Sequence, residues 1–188
     1  MPSRKSLPKK LIEIDAEFQR RLYYLVTMWA NAETWFMRIL TVLMRTDVGR
    51  GDLIFSSMTS SRARIDLVLR AAIMCLATED KLLEFESMHA EFKKITKTRN
   101  RVCHAQYIPD PTGAVLVGLM TVDYQRRDFD GTNHRQTVRL DRNFLNEVKQ
   151  AGQKASALCD RLEAFAKSCR PQVLKRPRDT PLRLRGNR

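Results

Sequence analysis

The sequence predicts a mainly α protein: a four-helix up-and-down bundle with a small antiparallel β-hairpin inserted before the last helix. Three observations predict it. An apolar seam of alternating four- and three-residue steps runs through Phe18, Leu22, Leu25, Trp29, Ala32, Phe36, Ile39 and Leu43. Three later segments repeat that rhythm. Between about residues 105 and 140 it gives way to turn signals and β-branched alternation.

The first helix is expected from about Lys10 to Arg45, a length of about 50 Å at about 1.5 Å per residue. Such a helix spans the whole domain or lends a face to a second copy. Gly49 and Gly51 are expected to break it, which makes Arg50-Gly51-Asp52 a helix-breaking loop. Ser60-Ser61 offers an N-cap for a second helix, with Ile65, Leu69, Ala72, Ile73 and Leu76 inward. Thr78 caps a third, and Glu79 and Asp80 fall in its first turn, where the helix dipole favours acids.

On this third helix Leu82, Phe85, His89, Phe92, Thr96, Arg99 and Cys103 share one stripe. Arg99 is therefore in phase with the buried face, where a cation is costly unless it is paired or lines a cleft. Beyond His104, Asp110-Pro111-Thr112-Gly113 and Asp130-Gly131 mark turns. Ala105–Ile108, Ala114–Val122 and Gln136–Leu140 read as strands. Asp141 caps the last helix, with Phe144, Val148, Ala151, Ala155, Leu158, Leu162 and Phe165 inward.

The chain has 188 residues and a net charge of +13, which suits one domain and a polyanionic partner. From Lys167 to Arg188 there are eight Lys/Arg against one Asp, broken by Pro171, Pro177 and Pro181. The expected organisation is a basic N-terminal segment (1–10), a helical domain (11–168) and a disordered basic tail (169–188). No apolar run is long enough for a membrane span, and the N-terminus lacks a signal-peptide core, so a cytoplasmic protein is expected. The four cysteines (Cys75, Cys103, Cys159, Cys169) form no CxxC or Cys/His zinc pattern. No metal or organic cofactor is expected. His89 and His134 are single histidines without ligand spacing.

The richest chemistry lies in Arg99-Asn100-Arg101-Val102-Cys103-His104. A fixed cation, an amide and a group titrating near neutrality are what metal-free phosphodiester cleavage needs. Asn100 and His104, four apart, share a helical face. Arg99 lies about 140° from His104 on an ideal helix; its side chain reaches round, the helix loosens, or a second subunit completes the site. The plainer reading pairs Arg99 with a carboxylate, stops the helix at Asn100 and has His104 cap carbonyls. Lys93, Lys94, Lys97 and Arg101 would then form a solvated face.

The R-N-x-x-x-H run at the end of the third helix resembles the HEPN superfamily (higher eukaryotes and prokaryotes nucleotide-binding). The stretch from Ile54 to Asp66 is also similar to solitary bacterial HEPN-like proteins, and the resemblance covers about Phe18 to Phe165. It implies a dimeric, metal-independent endoribonuclease, often a toxin or defence effector with a neutralising partner protein. His104 would act on the 2′-hydroxyl or the leaving group, Arg99 would stabilise the phosphorane, and Asn100 would orient substrate or His104. Lys97, Arg101 and Tyr107 are the expected substrate-binding residues. Tyr107 stands three after the histidine, where one toxin branch has a tyrosine two after it. The alternative is a non-catalytic HEPN-like module that binds RNA or a protein partner.

Overall fold

The computed structural model describes residues 9–109, 116–119 and 137–173. Among them are helices α1 (Lys9–Leu43), α2 (Val48–Ser56), α3 (Ser61–Cys75), α4 (Glu79–Cys103) and α5 (Arg142–Val173). Three short strands, β1 (Gln106–Pro109), β2 (Leu116–Leu119) and β3 (Thr137–Arg139), lie between α4 and α5. They pair antiparallel in the order β1-β2-β3, with Tyr107 opposite Gly118 and Gly118 opposite Val138. The protein is mainly α. The expected turns at residues 110–113 and 130–131, His134, and the tail beyond Val173 lie outside the described residues.

The α1 seam is the spine of the core. Leu25, Ala32, Phe36 and Ile39 are fully buried, and Leu22 packs at the edge. The helix stops where Arg45 takes a left-handed backbone (φ 52°), a conformation that cannot continue a right-handed helix. The two glycines expected to break the chain lie instead inside α2. Asp47 caps that helix by accepting the Arg50 N–H at 2.9 Å. Gly51 is buried because a Cβ there would sit 2.0 Å from Thr41 Cγ2. It lets α2 lie against α1, so Arg50-Gly51-Asp52 is helical and not a loop.

Ser60 caps α3 by accepting the Ala63 N–H at 3.2 Å. The inner face of α3 is Ile65, Val68, Ala71 and Ala72. Ile73, expected inward, is 55% exposed, while Val68 is fully buried. Thr78 starts α4 in extended backbone without a side-chain cap bond, and its carbonyl accepts the Leu82 N–H at 3.2 Å. Asp141 caps α5, accepting the Phe144 N–H at 2.9 Å. α5 then continues past residue 168 to Val173, and Cys169 is fully buried. The helical unit thus extends into the segment assigned to the tail, because Ala166 and Cys169 continue its apolar stripe.

Paired residues give the helix directions. Arg21 meets Asn146, Tyr24 lies against Gly152, and Met28 meets Cys159, so α1 and α5 run parallel. Trp29 meets Thr96 and Phe36 meets Phe85, so α4 runs against α1. The three residues 76–78 fold α3 back on α4. Consequently α1, α3 and α5 point one way and α4 the other, and the short α2 supplies the extra reversal. This departs from plain up-and-down alternation of four helices. The aromatic centre is Phe36, Phe85, Phe92 and Phe165, with ring centroids 5.1 to 5.7 Å apart in successive pairs.

Candidate functional site

The last two turns of α4 carry the polar residues that the sequence singles out. Among the described residues Arg99 meets no carboxylate. Its guanidinium lies over the Trp29 ring, 4.4 Å from the centroid, and its Nη1 donates to Asn100 Oδ1 at 2.9 Å. Arg99 Nε is shielded from solvent and has no hydrogen-bond partner. Trp29 is fixed in turn: its Nε1 donates to Thr96 Oγ1 at 2.9 Å, and its ring stacks on Phe92 at 5.9 Å. A planar, permanently charged group on a clamped aromatic face is well oriented.

α4 ends at Cys103, and His104 is its C-cap (φ −99°, ψ 4°). The His104 backbone N–H donates to Asn100 O at 3.0 Å, so the helical i to i+4 relation still holds between these two residues. Both side chains are exposed. The 140° offset between Arg99 and His104 is bridged in part by the amide. Arg99 reaches Asn100, and Asn100 shares the helical face of His104.

The expected substrate-binding residues separate. Lys97 is exposed on α4. Arg101 is half-buried and pairs with Glu147 of α5, which makes it a brace between helices and not a free cation of a solvated face. Tyr107 belongs to β1, and its side chain lies outside what is described. Sequence reasoning missed Trp29 as the platform for Arg99 and Glu147 as the partner of Arg101. The signal for Trp29 was present: a cation on a buried stripe needs either a carboxylate or a π face.

Other chemistry is sparse. His89 is buried between α3 and α4 with its Nε2 3.2 Å from Asp66 Oδ1, a structural contact. Desolvation by burial, with the nearby Asp160 charge, pushes the Cys159 thiol up to about 11. Burial also raises Cys169. Neither is a thiolate nucleophile at neutral pH. Among the described residues no group of three or more His, Cys, Asp or Glu could hold a metal ion, and no helix is long and apolar enough to cross a membrane. Comparisons of the chain with protein-family models, with curated proteins and with solved structures gave no match.

Proposed function

We propose that this protein is a metal-independent endoribonuclease of the HEPN type, built on a HEPN-like helical bundle whose β-hairpin insertion precedes the last helix. One observation carries the reading. Arg99 is clamped on Trp29 and hydrogen-bonded to Asn100, on a helix end that leaves Asn100 and His104 open to solvent.

In this reading the 2′-hydroxyl of RNA attacks the adjacent phosphorus and the P–O5′ bond breaks. His104 takes the proton from the 2′-oxygen or delivers one to the departing 5′-oxygen. Arg99 faces the charge that develops on the phosphorane oxygens, and Asn100 orients substrate. Lys97 and Tyr107 contribute to RNA binding; Arg101, held by Glu147, positions α4 against α5. The products are a 2′,3′-cyclic phosphate and a 5′-hydroxyl. A homodimer that brings two motifs together, cytoplasmic action as a toxin or defence effector, and restraint by a neutralising partner protein complete the proposal.

The test is incubation of purified protein with labelled RNA in EDTA, wild type beside His104→Ala and Arg99→Ala. Cleavage with cyclic-phosphate ends by the wild type alone is the expected result. Folded wild-type protein that cleaves no RNA, while still binding it, would replace the enzyme with an RNA-binding module.

A further inference from the structure

A groove of about 410 Å³ runs between α4 and α5, on a different face of α4 from Trp29. Its walls carry Ser87, Glu91, Lys94 and Thr98 from α4 and Lys154 from α5, and Ile95 and Ala151 form part of its lining. Two ion pairs tie the helices together along it, Arg101 to Glu147 and Arg161 to Glu91. Both pairs consume their carboxylates. Lys94 and Lys154 are left with no ion pair among the described residues, although both are exposed and line one groove.

Two ammonium groups without an ion pair among the described residues stand on facing walls and raise the local positive potential, and the carboxylate of the lining, Glu91, is engaged by Arg161. Thr98 adds a hydroxyl donor. The lining offers no large exposed apolar side chain for a peptide to bury, since Ile95 is only 3% exposed. Lys94, Thr98 and Arg101 follow one helical stripe toward the C-terminal end of α4. The rise from Lys94 to His104 is about 15 Å.

We propose that this groove holds the phosphate backbone of single-stranded RNA, with Lys94 and Lys154 as the phosphate-contacting cations. The proposal deepens, and rests on, the reading of the protein as one that acts on RNA. Each lysine neutralises one phosphate and releases counterions, so each contributes a definable share of the salt dependence of binding.

The test uses the full chain and a fluorescein-labelled ten-nucleotide 2′-O-methyl oligouridylate, whose blocked 2′-oxygen prevents cleavage, read by anisotropy across a salt series. Lys94→Ala/Lys154→Ala is expected to reduce the slope of log K against log salt by about 1.4, at about 0.7 per phosphate contact on a single strand. Lys94→Arg/Lys154→Arg is expected to restore the slope. Lys93→Ala/Lys149→Ala removes two exposed lysines of the same helices outside the groove, and is expected to change it by less than half as much. Equal slopes for the two alanine pairs, no binding by the wild type, or equally tight binding of an oligoglutamate peptide would overturn the proposal. Because the probe cannot be cleaved, a failure here is separable from a failure of the nuclease reading. RNA cleavage that depends on His104, beside unaltered groove slopes, removes the groove alone.

Discussion

Arg99 shows what a single residue discloses in a sequence and what it conceals. Its phase with Phe85 and Phe92 is local information, carried by helical spacing, and Phe85 and Phe92 are indeed buried on that stripe. Its recipient is not local: Trp29 lies seventy positions earlier, and only packing of α1 on α4 brings the ring under the guanidinium. The ion pair of Arg101 is hidden in the sequence for the same reason, since Glu147 is distant in sequence and adjacent in the fold. Lysine at position 99 keeps the charge but loses the planar stack and the fork that reaches Asn100. Arg99→Lys is therefore expected to cost about 1 kcal/mol of stability, read as a lower urea midpoint, and to reduce RNA cleavage by at least about tenfold if the charge must be oriented as well as present. Cys159 gives a second residue-scale prediction. Its thiol, raised from the ordinary 9.0 to about 11, keeps its proton in the folded chain while an unfolded chain releases it near pH 9. The contribution is thus fully present below about pH 9 and lost as pH rises toward 11. Urea midpoints at pH 7.5 and 10.5 should fall less between the two conditions in Cys159→Ala than in wild type.

At the scale of elements, periodicity located the long helices well and misread the short one. The α1 seam and the α5 stripe from Phe144 to Phe165 show as local periodicity, and the Ser60 and Asp141 caps rest on contacts within a few residues, so a sequence displays them directly. Gly49 and Gly51 were read as breakers because glycine is a poor helix former. That preference is outweighed where the missing Cβ is what permits contact, as at Gly51 against Thr41. Ile73 stands about 140° from Val68 on an ideal helix, so the stripe that buries Ile65, Val68, Ala71 and Ala72 turns Ile73 outward. Gly51→Ala should cost about 1–3 kcal/mol through overpacking, although alanine is the better helix former. Thr41→Ser removes the offending Cγ2 and retains the hydroxyl that donates to Arg38 O at 2.6 Å. The double variant Gly51→Ala/Thr41→Ser should therefore recover part of the loss in chemical denaturation. Additive losses would show that α2 is not held by this close approach.

Over the whole molecule, the end of α5 separates residues that build the core from the basic residues to which the proposed function assigns RNA binding. Phe165 packs on Phe85, the Lys81 ammonium lies over its ring at 5.3 Å, and Ala166 and Cys169 close the same end of the core. Residues 174–188 add six Lys/Arg against one Asp, with Leu174, Leu182 and Leu184 as the large apolar side chains. Composition alone set the boundary too early, because Lys167 and Arg170 resemble tail residues while Ala166 and Cys169 between and beside them face inward. Helical phase, extended one further turn past Phe165, would have moved the boundary. Two truncations test the separation. A chain ending at Val173 should melt within about 2 °C of the full chain, since at about 2–4 °C per kcal/mol for a chain of this size such a shift means little lost packing. One ending at Ala164 loses the Phe165 ring, whose removal alone by alanine costs about 3–5 kcal/mol, and should be largely unfolded. On RNA the order reverses in kind. The chain ending at Val173 should bind more weakly and with a shallower salt slope, because cations have been removed, yet should still cleave at low ionic strength if the chemistry resides in Arg99, Asn100 and His104. Loss of cleavage at saturating RNA, with melting unchanged, would instead place a catalytic contribution in the last fifteen residues.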